Sequence, residues 1–251
     1  MKAIILAAGY ATRLYPLTKD KAKALLPIGE KTILDYIMEK LEALPEIDTV
    51  YVVSNAKFAG QFEQWKAQSH YEKEIVVLND GTCTEKDRRG AIGDIWFTIQ
   101  EGAIDDEIMV IAGDNFFTYS LRDYLNFYYK KGSDCVCVKQ WENKEELSRF
   151  GIAVLDEENR VLDIEEKPAN PKSDTVVFAT FIYGKEPVPL IGAYLEEGNK
   201  PDAPGNFPAW LYKKKDVYAF RFDGDCYDIG TPESYHEICR LMAEGAFTAE
   251  H

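Results

Sequence analysis

The chain has 251 residues, of which 46% are hydrophobic and 29% are charged, and its net charge is −14. This length fits one large α/β domain, or one core with a small subdomain, and such a chain buries a substantial core without disulfide bonds. A broadly acidic surface repels nucleic acid and anionic lipid, which excludes both as expected partners, and a polyanionic ligand would need a local positive pocket or a metal ion.

The first half of the sequence predicts strands and helices in alternation. Apolar runs predict strands over residues 3–7, 49–54, 74–78 and 107–112. Helices are predicted over residues 33–44, 58–68 and 91–100, the first of them with its apolar residues at helical spacing. Polar loops are expected at 8–18 and 79–89. Strands and helices that alternate at this pace are typical of βαβ units around a parallel sheet.

The second half predicts shorter and more varied elements. Strands are expected over residues 133–140, 151–155, 161–164, 176–183 and 217–222. Helices are expected over residues 121–131, 188–196, 207–213 and 232–243. The tetrapeptide Asp-Glu-Glu-Asn at 156–159 predicts a hairpin, and Pro232 after Thr231 predicts a helix start. No linker or repeat interrupts the chain, so residues 1–251 are expected to form one body.

The cysteines and the apolar segments indicate the cellular compartment of the protein. Five cysteines without a framework spacing indicate reduced thiols in the cytoplasm. Cys135 and Cys137 share one face of a predicted strand and are expected to be buried small hydrophobic residues. The apolar run after Lys2 is too short for a signal peptide, and no stretch approaches the ~20 apolar residues of a membrane span. The sequence therefore predicts a soluble, cytoplasmic protein without a membrane partner.

A small-residue loop follows the first strand and carries a local excess of positive charge. In the run from Leu6 to Leu14, LAAGYATRL, small side chains let the backbone approach a ligand, and the N–H groups can cradle phosphate oxygens. Ligands bind outside the carboxyl ends of parallel strands. Residues 13–23 hold four basic residues against one acidic residue, Asp20: Arg13, Lys19, Lys21 and Lys23. Composition alone fits an anion pocket or a flexible turn with solvated lysines.

The order of these residues resembles the signature of the sugar-phosphate nucleotidylyltransferase family. In that family a Gly-rich loop ends in Thr-Arg-Leu, followed by Pro-Leu-Thr and then Pro-Lys-x-Leu-Leu-Pro; here the run is LAAGYATRLYPLT and then KDKAKALLPIGEK. Two positions depart: Ala11 stands where the family usually has Gly, and Ala22 where it usually has Pro. Alanine in place of glycine at position 11 is unfavourable only if the backbone there needs a positive φ.

The resemblance continues to about residue 240 and implies a fold. It implies the α/β class with a Rossmann-like, mixed and mostly parallel sheet flanked by helices, as in nucleotide-diphospho-sugar transferases. It further implies a single nucleotidylyltransferase domain over residues 1–251, with a nucleotide-binding half at 1–130 and an acceptor-binding half at 131–251.

The same resemblance implies roles for individual residues. Arg13 and Lys23 are the implied catalytic cations on the phosphates, and Asp114 and Asp228 are the implied ligands of Mg²⁺. Nucleotide binding is implied for Leu6, Ala8, Gly9, Tyr10, Ala11, Thr12, Asn79, Gly90 and Asp114. Acceptor binding is implied for Gly151, Glu166, Lys167 and Ala179. Taken singly each residue has another reading, since Asp114 also fits a helix cap, Asp228 a turn and Lys167 a solvated hairpin lysine.

The implied activity is Mg²⁺-dependent transfer of a nucleotidyl group from an NTP, with dTTP or UTP favoured, to a sugar 1-phosphate. Asn79 stands near the place where thymidylyltransferases have a base-reading Gln, which leaves the base open. Phe181 either narrows the acceptor pocket or fills the core. The oligomeric state stays open.

Three alternatives accompany this interpretation. A CTP-dependent cytidylyltransferase for phosphocholine, or another small phosphorylated alcohol, would use aromatic rings as a cation–π box, although the same rings fit a core. The candidate rings are Trp65, Trp96, Trp141 and Trp210. A non-catalytic nucleotide-sugar sensor would not need both metal carboxylates. The third alternative, a Rossmann dehydrogenase, is disfavoured because Gly9-Tyr-Ala-Thr lacks the GxGxxG spacing. Zinc is not expected, because the histidines form no cluster: His70, His236 and His251.

Overall fold

The computed structural model describes residues 1–247. Its strands are β1 Lys2–Leu6, β2 Pro27–Ile28, β3 Lys31–Thr32, β4 Thr49–Ser54, β5 Glu74–Asn79, β6 Ile108–Ala112, β7 Asn115–Phe117, β8 Asp134–Gln140, β9 Gly151–Leu155, β10 Val161–Glu166, β11 Thr175–Tyr183, β12 Val217–Arg221 and β13 Cys226–Asp228. Its α-helices are α1 Ile33–Glu42, α2 Ala59–Gln68, α3 Ala91–Glu101, α4 Leu121–Lys131, α5 Leu190–Glu196, α6 Asn206–Leu211 and α7 Pro232–Ala243. The predicted α/β class, with a Rossmann-like mixed sheet flanked by helices, is confirmed.

The chain divides into two compact units, neither of them continuous in sequence. The first unit comprises Met1–Arg88, Ala112–Leu121 and the chain from Gly224 onwards, and the second comprises Arg89–Ile111 and Arg122–Asp223. These borders differ from the predicted division at residue 130, because the chain returns to the first unit after β12. The assignment of a nucleotide-binding and an acceptor-binding half stays a prediction.

The first unit contains three parallel strands in the order β1-β4-β5. Every residue of β4 is buried, as its apolar sequence predicts for a strand covered on both faces. Helix α1 is capped by Thr32, whose hydroxyl accepts a hydrogen bond from the Asp35 amide while the Asp35 carboxylate accepts one from the Thr32 amide. Because the strands are parallel, the loops that follow Leu6 and Asn79 leave the same edge of this sheet.

A short antiparallel pair, β7 with β13, also lies in the first unit and was not predicted. Its register sets Cys226 opposite Phe117 and Asp228 opposite Asn115. Each strand has only three residues, too few for a period-two pattern to stand out in the sequence. Helix α7 packs against β13 and starts at the predicted Pro232; its N-cap Thr231 forms a capping box with Ser234.

The second unit is built mainly from antiparallel strands. Strands β10, β9, β11 and β6 follow one another in that order, β8 pairs with β11, and β12 pairs in parallel with β8. The predicted hairpin of β9 and β10 is confirmed. Phe181 is 1% exposed and stacks on Tyr183 with ring centroids 5.9 Å apart, so it fills the core. Cys135 and Cys137 are fully buried in β8, as expected.

In the second unit, two predicted helices are shorter than expected. The predicted helix over 188–196 begins only at Leu190, because a residue that precedes proline is disfavoured in helical conformation and Val188 precedes Pro189. The predicted helix over 207–213 ends at Leu211. In the described part of the chain no helix combines the length and the apolar character needed to cross a bilayer. His251 lies outside the described residues.

Candidate active site

The end of β1 is held directly against the turn that carries Asp114. The Gly113 amide donates a hydrogen bond of 2.9 Å to the carbonyl oxygen of Leu6. A Cβ atom on Gly113 would lie 2.8 Å from that oxygen, so only glycine allows this approach of two backbones. The small-residue loop and the turn at Asp114 therefore form one local structure within the first unit.

A buried asparagine, which is not among the residues predicted from the sequence, holds the small-residue loop in place. The Asn55 side chain is fully buried, and its Nδ2 donates to the carbonyl oxygen of Ala8 at 2.8 Å. Its Oδ1 accepts from the Phe58 amide at 3.1 Å. A polar residue directly after the apolar strand β4 was the available signal, since parallel strands carry their functional residues at the carboxyl end.

The loop continues through a strained residue. Tyr10 is buried, which raises the pKa of its phenol, and its hydroxyl donates to Thr82 at 3.4 Å. Ala11 adopts φ 48° and ψ 40°, the left-handed conformation that costs a non-glycine residue about 1–2 kcal/mol. The position at which the family usually has glycine therefore does require a positive φ.

Arg13 stands exposed at the end of this loop. It belongs to the 3₁₀ turn Thr12–Leu14, whose Thr12 hydroxyl donates to Glu85 at 3.3 Å. Within residues 1–247 no acidic side chain lies in ion-pair contact with the Arg13 guanidinium. In a chain of net charge −14, such a cation next to a small-residue loop favours an external anion as its partner.

Lys23 and two aspartates form the charged centre of the first unit. Lys23 Nζ lies 2.8 Å from Asp114 Oδ2 and 3.8 Å from Asp228 Oδ1. The Lys23 side chain is 12% exposed, whereas those of Asp114 and Asp228 are 39% and 55% exposed. The pairing of β7 with β13 brings the two aspartates together, because Asp228 lies opposite Asn115. The structure thus places two predicted metal ligands and one predicted catalytic residue at one point.

In the second unit, Glu166 lies in a small recess formed by two glycines. The recess is lined by Gly151, Ile164, Glu165, Glu166, Val177 and Gly205. Gly151 is registered opposite Glu166, and a Cβ atom on Gly205 would overlap the Glu166 carboxylate. Burial raises the pKa of Glu166, and the adjacent ammonium of Lys167 partly offsets that rise.

Lys167 and Ala179 both occupy irregular backbone in this unit. Lys167 is exposed and left-handed, with φ 50°, and its amide donates to the Phe150 carbonyl oxygen at 3.0 Å. Ala179 lies where the register of β11 with β8 shifts between Phe178 and Phe181. Bulges of this kind and left-handed residues other than glycine concentrate next to functional sites.

Asn79 and Gly90 have local partners of their own. Asn79 ends β5, and its Oδ1 accepts from the Gly81 amide at 2.9 Å. Gly90 has φ 79°, and a Cβ atom there would lie 2.7 Å from the Pro201 carbonyl. The first amides of α3 donate to the carbonyls of Pro201 and Asp202, so chain contacts already satisfy them. Nucleotide contact by Asn79 and Gly90 stays a prediction.

The tryptophans proposed for a cation–π box are distributed over separate packing sites. In the first unit Trp65 donates to Asp35 at 2.8 Å. In the second, Trp141 packs on Phe150 with ring centroids 5.3 Å apart, and Trp210 packs on Phe207 at 5.8 Å. Trp96 lies against Gly192, where a Cβ atom would approach its ring to 2.6 Å. Each ring is half-buried among its own neighbours, which does not favour a shared cation–π box.

The chain is similar to known proteins over nearly its whole length. Residues 2–245 match the family described as nucleotidyl transferase. Over 252 residues the chain is 32% identical to the bifunctional protein GlmU of Methanocaldococcus jannaschii. The aligned region covers 97% of this chain and 55% of GlmU. Over 250 residues it is 27% identical to the UTP–glucose-1-phosphate uridylyltransferase AglF of Haloferax volcanii, with 97% of each chain covered.

A solved structure shows the same fold. It is a UDP-glucose pyrophosphorylase complexed with UDP-glucose, with a TM-score of 0.82, 21% identity, and coverage of 97% of this chain and 98% of that one. The chain spans 55% to 65% of the length of several of its relatives, GlmU among them, whereas AglF is matched over nearly its whole length.

Proposed function

The chain belongs to the nucleotidyl transferase family, and from that premise we propose that it joins an NTP to a sugar 1-phosphate and releases pyrophosphate. The observation that carries the proposal is the cluster of Lys23, Asp114 and Asp228 beside the loop that ends in Arg13. Relatives such as AglF bear the name of a UTP–glucose-1-phosphate uridylyltransferase, which supports a sugar 1-phosphate as acceptor.

The reaction needs charge neutralisation and alignment more than a protein nucleophile. A phosphate oxygen of the acceptor attacks the α-phosphorus of the NTP, a new P–O bond forms, and the bond to the β-phosphate oxygen breaks as pyrophosphate leaves. Both reactants are anions, so the barrier falls when cations hold them in line. Arg13 can form a bidentate contact with phosphate oxygens, and Lys23 supplies a point charge.

Two carboxylates in the first unit suit a magnesium ion. Mg²⁺ prefers oxygen ligands and is usually held by one or two carboxylates together with substrate phosphates and water. Asp114 and Asp228 converge on one cation, the Lys23 ammonium, and in the described residues no third acidic side chain, histidine or cysteine joins them. These two residues would hold the ion, which withdraws charge from phosphate oxygens when bound.

The acceptor would be held by residues of the second unit. Glu166 offers a carboxylate to sugar hydroxyls, and Lys167 offers a positive charge to the acceptor phosphate. Gly151 and Gly205 support this role because they leave the space that the Glu166 side chain occupies. The proposed nucleotide is dTTP or UTP. The Asn79 amide can contact a pyrimidine through its Nδ2, while its Oδ1 accepts a hydrogen bond from the Gly81 amide at 2.9 Å.

A substrate panel tests the proposal. Purified protein is incubated with Mg²⁺, one NTP at a time, and a set of sugar 1-phosphates or phosphocholine, and pyrophosphate release is measured. Release with one NTP and a sugar 1-phosphate is expected, and omission of Mg²⁺ should abolish it. Release only with CTP and phosphocholine would overturn the sugar assignment. Nucleotide binding without release for any pair would instead favour a non-catalytic sensor.

A further inference from the structure

We propose that Lys23 is an internal counter-ion which occupies the metal position in the nucleotide-free protein and must leave before the metal binds. The metal then binds tightly only together with a nucleotide, whose phosphates take up the displaced ammonium. This inference rests on the metal site of the proposed function. It adds the order in which that site is filled, since the Lys23 ammonium leaves before the metal binds.

The geometry of Lys23 is that of a cation shared by two carboxylates. Its Nζ lies 2.8 Å from Asp114 Oδ2, a charge-assisted hydrogen bond, and 3.8 Å from Asp228 Oδ1. The Lys23 side chain is the most enclosed of the three, so solvent screens these contacts less than it does at the surface. The two carboxylates therefore already have a cation of the chain itself against them.

The backbone of Lys23 is fixed, so only its side chain would move in a change of partner. Lys23 begins a 3₁₀ turn in which the Leu26 amide donates to its carbonyl oxygen at 3.0 Å. Gln61 holds the preceding residues by accepting from the Ala22 amide at 3.0 Å and donating to the Asp20 carbonyl at 2.9 Å. An ammonium on a flexible four-carbon stem can therefore swing without movement of the chain.

Ammonium and metal cannot use this position together. Mg²⁺ would take oxygens of these two carboxylates as ligands, and the ammonium already holds Asp114 Oδ2 at 2.8 Å. Two cations side by side in a partly buried site also repel strongly. A triphosphate would remove the conflict, because its oxygens can accept from the ammonium and can also serve as metal ligands.

The arrangement also has a consequence for nucleotide approach. The two aspartates without a cation would present two negative charges to an incoming triphosphate, and Lys23 halves that repulsion. Positive coupling between nucleotide and metal follows, because each relieves the unfavourable interaction that opposes the other.

Metal affinity without nucleotide tests the inference by a readout other than activity. Mn²⁺ serves as the probe, and the electron paramagnetic resonance signal of unbound Mn²⁺ reports binding to wild type, Lys23→Gln and Lys21→Gln. Lys21 is exposed and has the same charge, so Lys21→Gln controls for the loss of one cation. We expect Lys23→Gln to bind Mn²⁺ about tenfold more tightly than wild type, equivalent to removal of roughly 1.4 kcal/mol of competition, and Lys21→Gln to match wild type. Equal or weaker binding by Lys23→Gln, or an equal gain in both variants, overturns the inference.

A second measurement uses the wild-type side chain. Acylation of individual lysines by an amine-reactive reagent is followed by mass spectrometry with and without Mn²⁺. Reaction at Lys23 should rise with saturating Mn²⁺ while reaction at Lys21 stays constant, and continued protection of Lys23 would overturn the inference. Lys23→Met, which keeps most of the apolar stem, replaces Lys23→Gln if that variant fails to fold. Pyrophosphate release by wild type with an unchanged Mn²⁺ affinity in the variant would leave the proposed function intact and reject only this inference.

Discussion

Asp228 lies directly opposite Asn115 in the pairing of β13 with β7, so the next residue along the chain from Asp114 fixes the position of Asp228. This register brings carboxylates from distant parts of the sequence to one ammonium, that of Lys23. The same turn is tied to the end of β1 through the Gly113 amide and the Leu6 carbonyl. A short pair of strands therefore assembles the charged centre beside the small-residue loop from Leu6 to Leu14.

Ala11→Gly should stabilise the protein. Ala11 is left-handed at φ 48°, and glycine removes a cost of about 1–2 kcal/mol while losing roughly 0.5–1 kcal/mol more chain entropy on folding. We expect a net gain of about 0.5–1 kcal/mol in the free energy of unfolding by urea denaturation. Ala22→Gly is the matched control, since Ala22 has φ −62° and should lose stability when replaced. A loss at both positions would show that the left-handed conformation carries no strain.

Asn55→Ala should loosen the loop as well as destabilise the fold. The substitution leaves the Ala8 carbonyl and the Phe58 amide without their buried partner, a loss of about 1–3 kcal/mol per unsatisfied group. The KM for the NTP should rise at a temperature where the variant is still fully folded. Thermal unfolding and steady-state kinetics measure the two effects, and a destabilised variant with unchanged KM would limit Asn55 to a structural role.

Gly9→Ala should separate folding from nucleotide binding. A Cβ atom on Gly9 meets nothing within 4 Å, so the free energy of unfolding should change by less than about 0.5 kcal/mol. If the Gly9 backbone lies close to phosphate oxygens, the KM for the NTP should rise about tenfold, a loss of roughly 1.4 kcal/mol.

Gly60→Ala serves as the control for Gly9→Ala. Its Cβ also has open space, and it lies within helix α2, where alanine adds up to about 1 kcal/mol of stability. This variant should bind the NTP as wild type does. An unchanged KM in Gly9→Ala would remove that residue from the nucleotide site.

Glu166 should make stability depend on pH in a direction opposite to that of an ordinary surface carboxylate. Burial raises its pKa in the folded chain, so folding favours the protonated form. The stabilising contribution of that proton is complete below the unfolded pKa of about 4.3 and is lost as the pH rises through the higher folded value. Glu166→Gln stays neutral and should therefore have a larger free energy of unfolding than wild type at neutral pH.

The difference between Glu166→Gln and wild type should shrink as the pH falls towards about 4. Glu165→Gln, at the exposed neighbouring residue, controls for the loss of one negative charge. Urea denaturation at several pH values measures the free energies. The KM for the acceptor should rise in Glu166→Gln and not in the control, and a pH-independent stability difference would contradict the burial of the charged group.

The sequence predicts those parts of this structure whose information is local. The apolar runs of β1 and β4 and the Thr231–Pro232 start of α7 are legible because strand burial and helix capping depend on neighbouring residues. The motif order also predicts that Lys23, Asp114 and Asp228 belong to one site. Their actual contact depends on the pairing of β7 with β13, which three-residue strands do not disclose.

Other features of the site depend on contacts between segments far apart in the chain. Two examples are the hydrogen bond from Asn55 to the Ala8 carbonyl and the packing of Gly90 on Pro201. Neither contact can be predicted without knowing the folded backbone. The ambiguity of Phe181 had the same origin, since an aromatic residue next to a predicted pocket fits both core and ligand contact until its burial is known. The left-handed Lys167 was equally hidden, because a lysine before proline gives no sign of a positive φ.

The metal site is tested most directly by the turnover of Asp114→Asn and Asp228→Asn with the best NTP and acceptor pair. Each variant keeps the size of the side chain and removes one carboxylate charge, so the fold should be retained and is checked by circular dichroism. We expect pyrophosphate release at saturating Mg²⁺ to fall by about 10³-fold or more in each variant, in line with the loss of several kcal/mol of charge stabilisation. Near-normal turnover in both variants would contradict the assignment of Asp114 and Asp228 as metal ligands.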